Sequence, residues 1–507
     1  DMPADDMPAD DMPADDMPAD DMPADDMPAD DMPADDMPAD DMPADDMRAH
    51  AARLDLRQPK RIHIVGIGGA GMSAIAVVLR AMGHTVTGSD LKESSVSARL
   101  RAQGIEVAIG HRAENVGAVD AVTYSPAVAL TNIELTTAAV AGALLVPRSG
   151  VLAAICATRR CLAVTGTKGK TTTASMLSLI LIEAGLHPSF LIGADVNEVG
   201  TNAVWDQGDW LVVEADESYG TFADIRPDLA VLTNVEPDHL DHYGTLEHLT
   251  TAFSDFIGLA TQGAVVSADN PGAAAIGRAH GGATVGTDNA ATHRMTEVVE
   301  SRSSVSFRLL GPEGDLGPLT IGVPGLHNAR NAALAAVAGL QVGVPMATVA
   351  SALARFAGVS RRFEFRGEAR GVTFVDDYAH LPFAVRAALA TARTGGWARV
   401  VAVFQPHRYT RTAELAQEFG PAFIDADLLV VTEIYSAGET PIPGVSGRLV
   451  ADAVRAQDPR LPVLYAPGWE ELRLAVSAQL QPGDLCLTLG AGDLTMLPDQ
   501  LLDSPQW

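Results

Sequence analysis

Leu162-Ala-Val-Thr165-Gly166-Thr167-Lys168-Gly169-Lys170-Thr171-Thr172 joins a short apolar, β-branched run to a glycine turn, and an apolar stretch around residues 174–182 follows it. A strand that ends in glycines and opens a helix presents backbone N–H groups at a helix N-terminus, where phosphate oxygens are stabilised. Lys170 is then placed to reach the β- and γ-phosphates of a nucleotide, and Thr171 to hold magnesium. The ordinary form of this loop has another glycine five residues before Gly169; this chain has Val164 there, so the loop is a shortened variant.

Outward from that loop, short aliphatic runs alternate with longer helical stretches from residue 61 onward, which predicts an α/β protein built on parallel sheets. Residues 62–65 lead into Gly66-Ile67-Gly68-Gly69-Ala70-Gly71, residues 211–213 into Glu214-Ala-Asp216-Glu217, and residues 229–233 into Asn234, ahead of Asp238, His239, Asp241 and His242. Residues 372–375 lead into Asp376-Asp377, and residues 400–404 into Gln405-Pro-His407-Arg408. Open α/β sheets bind ligands at the carboxyl ends of their strands, so these polar residues are expected to face sites. The first glycine turn suits any diphosphate. With Asp90 at the end of the next strand it fits a nicotinamide enzyme as well, and a turn with no ligand is the plain alternative. The carboxylates and histidines after the second and third runs form a hard-ligand set suited to magnesium between protein and phosphate oxygens. Cys156 and Cys161 lack zinc-site spacing and are expected in the core.

Composition narrows the class. Residues 1–45 are nine copies of Asp-Met-Pro-Ala-Asp, which carry −18 of the formal charge of −30 and leave −12 for the rest. Such a repeat has no large aliphatic residue except Met and repels itself, so residues 1–46 are expected to be a disordered tail, with Met47 as the start of the protein proper. An acidic body without a basic block argues against nucleic acid and membrane-surface partners. No apolar run approaches a membrane span. Three cysteines and no signal peptide fit a cytoplasmic protein. Boundaries are expected near residues 155 and 360, giving units 47–155, 156–360 and 361–507.

Taken together, Gly166 to Thr172, Glu214-Ala-Asp-Glu-Ser218, Glu236-Pro-Asp-His-Leu-Asp-His-Tyr-Gly244, Gly325-Leu-His-Asn328-Ala-Arg-Asn331 and Arg361-Arg-Phe-Glu364 resemble the Mur ligase family, over about residues 60–497. Within it, Gly66 to Ser73, Asp376-Asp-Tyr-Ala-His380 and Phe404 to Thr412 are similar to the members that act on UDP-N-acetylmuramate and L-alanine. The resemblance implies a Rossmann-like N-terminal domain for the UDP-sugar, a central P-loop ATPase domain with a mostly parallel sheet, and a C-terminal Rossmann-like domain that closes over ATP and carries the amino acid. It re-reads Gly66, Gly68, Gly69, Ala70, Gly71, Met72 and Ser73 as a cradle for the UDP diphosphate, with Asp90 and His111 as further nucleotide-sugar contacts.

By the same resemblance, Gly166, Thr167, Lys168, Gly169, Lys170, Thr171 and Thr172 hold the ATP phosphates. Thr171, Glu214 and His239 are implied metal ligands. Asn328 and Asn331 meet the adenine, Arg362 the γ-phosphate and Asp377 the ribose. Tyr378, His380, Arg408 and Arg411 form the amino-acid pocket, and His380 is a candidate general base. The implied reaction is ATP- and magnesium-dependent amide formation through an acyl phosphate, in peptidoglycan precursor synthesis, by a monomer or weak dimer. The runner-up is the murein-recycling member that joins a whole tripeptide to the same sugar, and an NAD-dependent oxidoreductase is a distant alternative.

Some relatives bind a second metal through a carbamoylated lysine. The four lysines here are at 60, 92, 168 and 170, none beyond the phosphate loop, so no carbamoyl-lysine is expected. Lys168 stands where the family has His, His380-Leu-Pro-Phe383 where it has His-His-Pro-Thr, and Asp216-Glu-Ser-Tyr219 where it has Asp-Glu-Ser-Asp. Because the second change adjoins the amino-acid pocket, serine and glycine stand beside L-alanine as possible substrates.

Overall fold

The computed structural model describes residues 54–125, 127–196, 199–301, 304–358, 363–437 and 439–503. The repeat tail, Met47, Arg361 and Arg362 lie outside the described residues.

Three sheets follow one another along the chain. The first holds β1 (Arg61–Val65), β2 (Thr85–Asp90), β3 (Glu106–Ile109), β4 (Ala121–Tyr124) and β5 (Leu144–Pro147). Its order β3-β2-β1-β4-β5 is parallel throughout, with the strand order reversing beside β1, where the first glycine turn begins.

The second sheet holds β6 (Arg160–Thr165), β7 (Ser189–Val196), β8 (Thr201–Val204), β9 (Trp210–Glu214), β10 (Leu229–Leu232), β11 (Ala264–Ser267), β12 (Ala283–Gly286), β13 (His293–Glu300), β14 (Val305–Gly311) and β15 (Gly314–Ile321). β6 lies between β9 and β10, parallel to both, and antiparallel strands occupy only the two ends. The third sheet runs β16 (Glu364–Ala369), β17 (Val372–Asp377), β21 (Asp484–Leu489), β18 (Arg399–Phe404), β19 (Leu428–Val431), β20 (Val463–Tyr465), with β16 alone antiparallel.

The period of two in β6 explains its central place. Leu162 and Val164 face one core with Met176, Leu177 and Ile180, while Cys161 and Ala163 face another. The helix Lys170–Glu183 is buried from Thr173 to Leu181, as a helix with apolar residues on every face must be.

The core on the Cys161 side does not stop at the first domain. It runs from Ile62, Ile64 and Ile75 through Ile155, Cys156 and Cys161 to Val213, Phe222 and Phe253, so the first two domains share one apolar interior. The third domain has clusters of its own, built around Phe404 and Phe423 on one face of its sheet and Phe374 and Leu472 on the other. Among the described residues no helix is long and apolar enough to cross a membrane. Cys156, Cys161 and Cys486 are buried and free, as core packing requires.

Candidate active site

The phosphate loop at the carboxyl end of β6 is braced by the end of β10. Thr167 N donates to Asn234 O at 3.1 Å and Lys168 N to Asn234 Oδ1 at 2.9 Å. The Lys168 carbonyl accepts from Thr233 Oγ1 at 2.6 Å and Asn234 Nδ2 at 2.9 Å. Gly169 turns the chain into the helix with φ +82°, and a Cβ there would lie 2.6 Å from Asn331 Oδ1. Only glycine meets both demands. Asn331, expected at the adenine, therefore lies under the phosphate loop, while Asn328 Nδ2 donates to Pro324 O at 2.7 Å at the start of its own helix.

Lys170 points into a carboxylate cluster. Its Nζ lies 2.6 Å from Glu217 Oε2 and 3.4 Å from Asp216 Oδ1. Burial alone would lower the Lys170 pKa, but the two carboxylates outweigh it and raise it. Burial would likewise raise Asp216; Lys170, the bonds from Ser218 and the Arg148 charge prevail and hold it at about 2. Glu217 goes the other way, pushed up by burial and by Asp216. Its Oε1 is buried with no hydrogen-bond partner, and its backbone carbonyl accepts from Tyr243 OH at 2.6 Å.

The expected ligands divide into two groups. Thr171 Oγ1 donates to Glu214 Oε1 at 3.0 Å, and Glu214 Oε2 accepts from Gly193 N at 2.7 Å. His239, with a left-handed backbone at φ +50°, joins Asp216 and Glu217, with one donor atom of each within 4.8 Å of the others. One hydroxyl, an imidazole and three carboxylates, one of them with an orphaned buried oxygen, form an oxygen-rich donor set that fits a hard divalent cation.

In the first domain Asp90 turns back on the glycine turn and accepts from Gly68 N at 2.6 Å. Met72 buries its side chain in the core, leaving its backbone as the part that can serve a ligand. His111 Nδ1 lies 3.1 Å from Ser89 Oγ, and its Nε2 is buried without a partner. Behind it is a fully buried carboxylate that sequence reading missed: Glu134 accepts from Ser89 Oγ and Asn115 Nδ2, both at 2.5 Å, and from Arg112 N at 3.1 Å, and lies 3.3 Å from His63 Nε2.

Between the first two domains lies a cleft of about 250 Å³, lined by Gly71, Arg148, Leu152, Gly193, Glu214 and Asp216. It joins the first glycine turn to the carboxylates around Lys170.

The third domain supplies a row of rings at the ends of β17 and β18. Tyr378 and His380 meet edge to face at 5.1 Å between centroids, His380 and His407 lie 5.4 Å apart, and His407 stacks on Tyr435 at 5.9 Å. An arginine can only donate, so the 3.0 Å contact from Arg411 makes His407 Nδ1 an acceptor. His380 Nδ1 faces Tyr378 O at 2.9 Å and must carry its proton there, which leaves Nε2 as the acceptor of the neutral ring. Arg408 has φ +69°, and its Nε is buried without a partner. Strain of that kind collects at ligand sites. Asp377 is held by the N–H groups of Phe363 and Ala379, both at 2.8 Å. One contact bridges the domains: Lys168 Nζ lies 4.5 Å from the centroid of the Phe383 ring while it pairs with Glu236 at 2.6 Å.

Comparison with known proteins gives matches across all three sheets. Residues 61–160 match the Mur ligase family, catalytic domain; residues 164–339 the Mur ligase middle domain; and residues 361–492 the Mur ligase, glutamate ligase domain. A UDP-N-acetylmuramate--L-alanine ligase of Anaeromyxobacter dehalogenans is 44% identical over 457 residues, covering 88% of this chain and 98% of the relative. The crystal structure of the UDP-N-acetylmuramate-alanine ligase of Thermotoga maritima superposes with a TM-score of 0.75 at 28% identity, covering 88% of this chain and 98% of that one. A murein peptide ligase of Psychrobacter arcticus, 24% identical, has a likeness in fold alone, with a TM-score of 0.63 over 87% of this chain and 98% of its own.

Proposed function

The chain belongs to the Mur ligase family, and from that premise we infer that it joins L-alanine to the lactyl carboxylate of UDP-N-acetylmuramate at the expense of ATP, in cytoplasmic peptidoglycan precursor synthesis. The observation that carries this reading is the cleft in which the glycine turn of the first domain faces Glu214 and Asp216 beside the phosphate loop. An acid carried by a diphosphate-linked sugar and the terminal phosphate of ATP meet there.

A lactyl carboxylate oxygen attacks the γ-phosphorus, the bond to the β-phosphate oxygen breaks, and ADP leaves an acyl phosphate. The neutral amine of alanine then attacks the acyl carbon, and inorganic phosphate departs with the electron pair of the broken C–O bond. Lys170 exchanges Glu217 and Asp216 for phosphate oxygens when the nucleotide enters, since a buried ammonium must keep a counter-charge. The carboxylates so released, with Thr171, Glu214 and His239, are the groups that would hold magnesium. When bound, that ion supplies neutralisation of the charge gathered on the phosphoryl oxygens. Arg362 is assigned to the γ-phosphate, Asn328, Asn331 and Asp377 to the nucleoside, and Asp90 and His111 to the UDP-sugar. Arg408 and Arg411 would pair with the alanine carboxylate, and His380 Nε2 is the acceptor suited to take the amine proton. Units 47–155, 156–360 and 361–507 would carry the sugar nucleotide, the ATP and the amino acid, in a monomer or weak dimer.

The test is phosphate release from ATP and magnesium with UDP-N-acetylmuramate, comparing no acceptor, L-alanine, L-serine, glycine and the tripeptide L-Ala-γ-D-Glu-meso-diaminopimelate. Sugar-dependent release fastest with L-alanine is expected. Fastest release with the tripeptide would move the chain to the recycling activity, and no release with any acceptor would overturn the reading.

A further inference from the structure

Arg148 opens the helix Arg148–Cys156 directly after β5, with Pro147 before it, and so stands at the carboxyl edge of the first sheet. Its guanidinium lies across Gly71: a Cβ at that position would be 2.7 Å from Cζ and Nη2 and 2.9 Å from Nε. A side chain at position 71 would therefore displace the guanidinium that passes over it, whatever the turn itself binds. Arg148 lines the cleft together with Gly193, Glu214 and Asp216.

Among the described residues the Arg148 side chain has no hydrogen-bond or ion-pair partner, although two carboxylates share its cavity. Those carboxylates make their short contacts elsewhere, Glu214 with Thr171 and Gly193, Asp216 with Lys170 and Ser218, and only the Arg148 charge reaches Asp216, helping to hold its carboxyl low. A half-buried guanidinium with five donors and no acceptor within hydrogen-bond reach is suited to an anion from outside the protein.

We propose that Arg148 receives the lactyl carboxylate of the acid substrate and holds it, through the planar fork of its guanidinium, between the first glycine turn and the phosphate loop. This rests on the function inferred above. The position makes Arg148 a specificity residue: it distinguishes a sugar nucleotide that carries an acid from one that does not. It also fixes which carboxylate oxygen faces the γ-phosphate, since the fork grips the group in one plane. No motif marks it, because Arg148 meets Glu214 and Asp216 only after β7, β9 and the first domain have packed together.

The experiment measures binding of two sugar nucleotides to the full chain with magnesium and a non-hydrolysable ATP analogue. UDP-N-acetylmuramate has the lactyl acid; UDP-N-acetylglucosamine has the same nucleotide, diphosphate and N-acetyl sugar without it. Arg148→Ala should lower affinity for the first at least tenfold and leave the second within about twofold, so that the wild-type preference disappears. Arg148→Lys should fall between, keeping charge but losing the fork. Equal losses for both nucleotides would overturn the proposal and assign Arg148 to the diphosphate. No loss for either, in a variant with wild-type melting and ATP-analogue binding, would overturn it in favour of a packing role. A wild-type protein that binds neither sugar nucleotide would overturn the functional reading itself, a result distinct from both.

Discussion

Lys170 and Glu134 are both buried charges, and they illustrate different uses of burial. Lys170 is held by Asp216 and Glu217, and on the function proposed above its charge is stored for a nucleotide that would displace them. Lys170→Ala is expected to reduce ATP turnover by roughly two to three orders of magnitude while UDP-sugar binding survives; normal turnover would remove the loop from the mechanism. Glu134 has all its partners within the first domain. Burial would raise its pKa, but bonds from His111, His63, Ser89 and Asn115 outweigh that and hold it well below the ordinary carboxylate range. A carboxyl lowered in this way contributes stability that is complete above its unfolded value of about 4.5 and is lost as the pH falls further. Glu134→Gln should therefore cost about 2 kcal/mol at neutral pH, read by denaturant melts, with the gap closing in acid. A gap that stayed constant with pH would contradict this role. The phosphate-loop residues were legible in the sequence because neighbours in the chain act together there. Glu134, Arg148 and Tyr243 were not, since the groups each of them faces come from other parts of the chain.

At the level of elements, the sequence periodicity located the strands that carry the site, and their carboxyl ends hold the groups that had been expected there. The tertiary braces were hidden. Thr233 and Asn234 read as a strand end facing a site, and four hydrogen bonds tie that end to the phosphate loop, a bracing that the sequence does not announce. Two residues that the sequence reading set apart from the family pattern, one in the loop and one beside the third-domain pocket, also meet, as Lys168 over Phe383. A lysine over an aromatic face contributes about 0.5–1 kcal/mol at an exposed site. Phe383→Ala should accordingly raise the KM for ATP roughly two- to fivefold and leave UDP-sugar affinity unchanged; an unaltered KM would mean that the contact plays no part in closing the third domain over the nucleotide.

Across the whole molecule, three sheets do not amount to three independent bodies. The first two domains share a core through Ile155, Cys156 and Cys161, whereas among the described residues the third has none of its buried apolar residues in common with them. Motif spacing could not reveal that, because a boundary is read from where one pattern ends and not from what lies behind it. Closure over ATP is expected to move the third domain against a rigid pair. Calorimetry should resolve one transition for the pair and another for the third domain, and hydrogen exchange should assign each; three separate transitions, or a single one, would contradict this division. The chain passes from Phe356, buried in the core of the second sheet, to Phe363, buried in that of the third. A recombination point placed between them leaves both apolar clusters whole among the described residues, so a third domain grafted there from a relative is expected to fold as an exchangeable cartridge, while a cut between the first two domains would divide a shared interior.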